Sequence, residues 1–191
     1  MIETVRKALR ESARLKETIA QDLAEPIARL LQEVLTVLKN GGKLLIMGNG
    51  GSASDAQHIA AELVGRCLKD RKGLPAIALT TDTSILTAVG NDYGYDEVFR
   101  RQVEALGMPG DLVWGISTSG NSENVYRALK LARSGKIKTA ALLGRDGGKI
   151  RDVADFCVVV PPNNTPRIQE AHITIGHIIC EEAERVLFHN N

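Results

Sequence analysis

The sequence predicts an α/β fold, a three-layer sandwich around a five-stranded parallel sheet, preceded by an N-terminal helical hairpin. Three observations lead there. From residue 43 onward, short apolar runs of strand length alternate with segments of helical periodicity, the order that produces parallel strands joined by crossover helices. Two Gly- and Ser-rich loops each stand between a strand-like run and a helical pattern, where open α/β sheets bind ligands. The 191 residues suit one domain with a full core, and 43% hydrophobic against 4% aromatic content makes that core aliphatic.

Residues 2–22 read as a helix with a thin apolar stripe (Ile2, Val5, Leu9, Ile19, Leu23) among many charges. Pro26 suits a first helical turn, and Ile27, Leu30, Leu31, Val34, Leu35 and Leu38 follow helical spacing up to the Gly41-Gly42 stop. Strands are expected at 43–47, 75–80, 111–116, 138–143 and 156–160. Helices are expected at about 52–68, 83–89 with 94–106, 123–134, 147–153, and from Pro166 to about Leu187. The first two helices, residues 1–40, do not fit the alternation. Their stripe suits an oligomer interface better than a core, because the first helix has too little apolar surface to be a core helix.

A net charge of +1 argues against a strongly electrostatic nucleic-acid or membrane binder. Cys67, Cys157 and Cys180 form no C-x-x-C pair and read as reduced thiols of a cytoplasmic protein. No apolar run has transmembrane length, and residues 1–14 are too charged for a signal peptide. His189 reads as solvated.

The loops carry the chemistry. Gly48-Asn49-Gly50-Gly51-Ser52-Ala53 follows Leu44–Met47, and Ser117-Thr118-Ser119-Gly120-Asn121-Ser122 follows Leu112–Ile116. A helix N-terminus offers unpaired N–H groups and roughly half a positive charge, glycines allow close approach, and hydroxyls add donors. Together the two loops point to a phosphorylated, hydroxyl-rich ligand. Ser52-x-x-Asp55 also reads as a capping box.

His58 and Glu62, at i and i+4, lie within about 40° of each other on one helix face. Gln169 and His177 lie about 80° apart on the last helix, and the four side chains would make a shell for zinc or a related divalent ion. Taken singly, a His/Glu pair is more often a surface pair, and His177 among isoleucines more often a core histidine. His172 points about 140° away from His177 and is not counted as a ligand.

Gly115 to Ser122 resembles the phosphosugar-binding loop of sugar isomerase (SIS) domains, a flavodoxin-like fold that the resemblance extends over residues 1–191 as one domain. Gly48 to Ser52, Asp55 to His58, Leu86 to Asp92 and Arg167 to His172 are similar, more narrowly, to the phosphoheptose isomerase family. That resemblance implies interconversion of D-sedoheptulose 7-phosphate and D-glycero-D-manno-heptose 7-phosphate, toward activated heptose for bacterial surface glycans. It further implies a cytoplasmic homotetramer with sites between subunits. Zn2+ would be held by His58, Glu62, Gln169 and His177. The sugar phosphate would meet Asn49, Gly50, Gly51, Ser52, Glu62, Asn91, Asp92, Ser117, Thr118, Ser119, Ser122 and Gln169. Pro166 stands where some members carry an aspartate.

Moving hydrogen between C1 and C2 through an enediol(ate) needs a base on carbon and an acid/base at oxygen, assigned to Glu62 and His177. Three rivals stand beside this reading. Gly48-x-Gly50-x-x-Ala53 fits a dinucleotide fingerprint, but its acidic partner would fall at Asp70 in a charged loop. A non-catalytic paralogue that associates with the replication initiator would lack the groups at Glu62 and His177. An isomerase of another sugar phosphate would differ only in pocket length.

Overall fold

The computed structural model describes residues 1–161 and 164–188, so His189 lies outside it. The hairpin is α1 (Ile2–Asp22) and α2 (Ala24–Lys39). There follow β1 (Leu44–Gly48), α3 (Gly51–Val64), β2 (Ala76–Ala78), α4 (Thr83–Tyr93), α5 (Val98–Leu106) and β3 (Leu112–Ser117). The chain continues through α6 (Glu123–Ser134), β4 (Lys138–Gly144), β5 (Phe156–Val160) and α7 (Thr165–Leu187). Among the described residues one sheet forms, in the order β2-β1-β3-β4-β5, with every neighbouring pair parallel.

The sheet is buried on both faces, which is why its central strands read as unbroken apolar runs. Leu44, Ile46, Leu112, Trp114 and Leu142 pack against α2, α3 and α7. Leu45, Met47, Val113, Ala141 and Leu143 pack against α5 and α6. Burying each large side chain contributes roughly 1.5–3 kcal/mol. Trp114 is wholly buried, in keeping with a packing role. Gly115 lets α6 approach β3, since a Cβ there would lie 2.6 Å from Val125.

Connections set the position of the site. The chain leaves β1 through α3 on one face toward the outer strand β2, and leaves β3 through α6 on the other face toward β4. The carboxyl ends of β1 and β3, adjacent in the sheet, are therefore where connections diverge and a crevice opens.

Several expected boundaries shift for local reasons. In place of the helix expected at 147–153, Gly148–Val153 form a 3-10 helix, entered through Gly147 and Gly148 with φ of 90° and 49°. The helix expected to reach 68 stops at Val64. Strand β2 holds three residues instead of six and leaves Ile77 40% exposed at the sheet edge. Capped by Asp82, whose carboxylate accepts from Ile85 N–H at 2.9 Å, α4 runs on to Tyr93.

Candidate active site

The first loop turns at Gly50, φ 55°, and α3 begins at Gly51. That start overturns the capping box. Ser52 is already inside the helix, is buried beneath Gly48, and makes no cap bond. The second loop is braced internally: Ser117 and Ser122 hydroxyls lie 2.9 Å apart, and Asn121 N–H donates to Ser119 Oγ at 3.1 Å. Gly120, φ 67°, presses on Gly147, where a Cβ would overlap the carbonyl. Lys149 N–H donates to Asn121 Oδ1 at 3.2 Å. The N-cap residue Ser122 makes no side-chain bond to the first turn of α6, where only Val125 N–H is taken up, by Asn124 Oδ1.

Helices α3 and α7 run side by side in the same direction. Gln169 meets Gly51, His177 meets His58, and Glu184 meets Cys67 at the far end. Gly176 permits the close approach, since a Cβ there would lie 2.8 Å from Ile59. His58 Nε2 stands 3.0 Å from His177 Nε2 and 3.3 Å from Glu62 Oε1. One atom from each of these three residues lies within 4.8 Å of the others. Facing imidazole nitrogens at this spacing need one donor and one acceptor, or a cation shared by both lone pairs. Two nitrogens and a carboxylate oxygen with an open side are the donor set of a catalytic zinc site, so these residues fit that ion.

Gln169 is placed differently. Its amide packs against Gly51, about 10 Å along the α3 axis from His58 by helical rise. There it borders the first loop. Asn91 and Asp92 pair with each other at the exposed end of α4 (2.9 Å). His172 is buried with Nε2 3.1 Å from Leu143 carbonyl, and burial pushes its pKa down to about 4. The cysteines are all free, and burial pushes their thiols up to about 12, 11 and 12 for Cys67, Cys157 and Cys180, away from the thiolate form.

Sequence reasoning missed several contributors. Asp55, one turn before His58, has a buried carboxylate oxygen with no partner among the described residues. Burial pushes its carboxyl up to about 6 against the pull of His58. The i, i+3, i+7 spacing of Asp55, His58 and Glu62 would have revealed it. A buried clasp joining α3 to α7 left no such signal. Glu184 accepts N–H bonds from Cys67, Leu68 and Lys69 and an ion pair from Arg71 Nε at 3.0 Å. Arg71 also donates to the carbonyls of Glu62 (2.7 Å) and Leu63 (2.6 Å). Although burial opposes the charge, these donors hold the Glu184 carboxyl below the usual range.

A parallel sheet wound on both faces, with a hydroxyl-rich loop at its switch point, is the architecture of an α/β ligand-binding domain. The SIS-domain family profile matches residues 9–144, and the chain belongs to that family. Within it the chain belongs to the phosphoheptose isomerases. It is 58% identical over 188 residues to the phosphoheptose isomerase of Geobacter sulfurreducens, covering 98% of this chain and 100% of that one. The phosphoheptose isomerase structure from Neisseria gonorrhoeae superposes with a TM-score of 0.90 at 49% identity, covering 95% and 97% of the two chains. The one from Francisella tularensis gives 0.93 at 37% identity, covering 96% and 98%.

Proposed function

We propose that the chain isomerises D-sedoheptulose 7-phosphate to D-glycero-D-manno-heptose 7-phosphate, in the cytoplasmic supply of activated heptose for surface glycans. The observation that carries this reading is the meeting of Glu62, His58 and His177 on two helices, the first of which rises from a ligand loop. In the proposed reaction Glu62 removes a proton from C1 of the ketose and returns one to C2. His177 moves the matching proton between the two oxygens, so no outside reductant or oxidant is needed. The Ser117–Ser122 loop holds the phosphate and converts that binding into orientation of C1 and C2. Asn49 to Ser52, Asn91 and Asp92 complete the proposed sugar contacts.

His58, Glu62 and His177 would hold zinc; Gln169, the fourth donor the family resemblance implies, would join them by turning from Gly51 toward His58. Bound there, the ion would polarise the C1 and C2 oxygens as a Lewis acid. A tetramer with sites between subunits is the matching assembly. Two features support it: the His58 side chain is 49% exposed, and an apolar groove of about 400 Å³ runs between α1, α2 and α7, lined by Ile19, Ile27, Leu31, Ile175 and Ile178. The test is incubation with sedoheptulose 7-phosphate in heavy water, with and without a chelator, read by NMR. Exchange at C1 and C2 that the chelator slows is expected; no exchange in the metal-loaded protein overturns the reading.

A further inference from the structure

The two ligand loops are tied together by a pair of side-chain amides. Asn49, in the first loop, donates from Nδ2 to Asn124 Oδ1, and Asn124 Nδ2 donates back to Asn49 Oδ1, both at 2.9 Å. Asn124 is the second residue of α6, directly behind Ser122, and is 3% exposed. Its orientation is determined by chemistry. Val125 N–H can only donate, and it donates to Asn124 Oδ1 at 2.9 Å, so the amide nitrogen must face Asn49. Asn49 Oδ1 accepts a second bond, from the Tyr95 hydroxyl at 3.3 Å. Tyr95 follows α4, whose last turn carries Asn91 and Asp92. The oxygen of Asn49 therefore has both lone pairs engaged by protein, and three segments proposed to touch the sugar phosphate converge on it.

We propose that Asn124 is a positioning residue that, through Asn49, sets the spacing between the sugar-end loop and the phosphate loop. The inference rests on the isomerase reading for the ligand that spans them. Strand pairing between β1 and β3 ends at Gly48 and Ile116, the first residue of one loop and the residue before the other. Beyond that point the amide pair spans the gap. A ligand gripped at both ends feels that spacing, whereas an anion seated in one loop does not.

The experiment compares the affinities of sedoheptulose 7-phosphate and inorganic phosphate by calorimetry, for the wild type, Asn124→Leu, Asn124→Ser, Asn49→Ala and Asn49→Ala/Asn124→Leu. The serine variant keeps an acceptor for Val125 N–H but is too short to reach Asn49, which guards against a folding defect in the leucine variant. Sugar phosphate affinity should fall roughly tenfold in both Asn124 variants while phosphate affinity holds within about twofold. The double variant should lose less than the sum of the Asn124→Leu and Asn49→Ala losses, because the two residues share one spacing role while Asn49 also touches the sugar. Equal losses for both ligands, no loss for either, or additive losses in the double variant would overturn the proposal, as would a wild type that binds only inorganic phosphate. A wild type that binds the sugar phosphate without isomerising it sinks the isomerase reading and leaves the comparison decisive.

Discussion

Glu62 and His177 lie 115 positions apart in sequence and meet only because α7 lies along α3. Glu62→Gln keeps the shape of the side chain and removes its basicity. Turnover should fall about a hundred- to ten-thousand-fold with sugar phosphate still bound, as measured by single-turnover kinetics beside calorimetry. In a parallel zinc titration, Gln169→Ala should lose zinc affinity as a ligand would; loss of sugar affinity alone would confine its amide to the first loop. His172 predicts a pH effect. Its imidazole stays neutral in the fold down to about 4, while the unfolded chain takes up a proton below 6.5. Native stability credited to a neutral buried His172 is therefore complete above 6.5 and lost as pH falls toward 4, by up to roughly 3 kcal/mol. Asp55, whose raised carboxyl acts in the opposite sense, is common to wild type and His172→Gln and cancels between them. The margin of wild type over His172→Gln in thermal melts should shrink across that window; a constant margin would remove the imidazole from the linkage. The spacing of His58 with Glu62 was legible because both sit on one helix. The placement of Gln169 at Gly51 was not, because it depends on the register of α7 against α3, which no periodicity within α7 records.

At the scale of elements, alternating apolar runs made the parallel sheet legible, and the glycines and serines made the loops legible. What escaped was tertiary: where α3 ends, and that residues 65–72 fold back under Glu184. The Arg71–Glu184 pair is almost wholly buried, with side chains 1% and 2% exposed. Glu184→Ala strands a buried guanidinium and three N–H groups, and should cost roughly 3–5 kcal/mol in urea unfolding. The double variant Arg71→Met/Glu184→Leu removes both charges and should be milder than Glu184→Ala. A Glu184→Ala loss below about 1 kcal/mol would mean water reaches the clasp.

For the whole molecule, the proposed tetramer would bury exposed Ile2, Val5 and Leu9 and the groove beside α7. Ile178 lines that groove and is 40% exposed. Ile178→Glu should lower the assembly mass in light scattering, with circular dichroism unchanged, and reduce activity with it. An unchanged mass would move the interface elsewhere. The thin stripe on α1 was readable as a surface too sparse for a core, yet a stripe names no partner and no geometry.

The pairing of α3 with α7 in one direction gives the clasp a reach beyond its own neighbourhood. Each helix is a stiff rod, fastened to the other at the Glu184 end and touching it again where Gly176 meets Ile59, beside the reactive side chains. A slight tilt at the fastening, pivoting on that contact, would change how His177 approaches His58, while the sheet beneath stayed whole. Damage at Arg71 can therefore silence the chemistry in a chain that still melts as one unit, with nothing altered within the crevice itself.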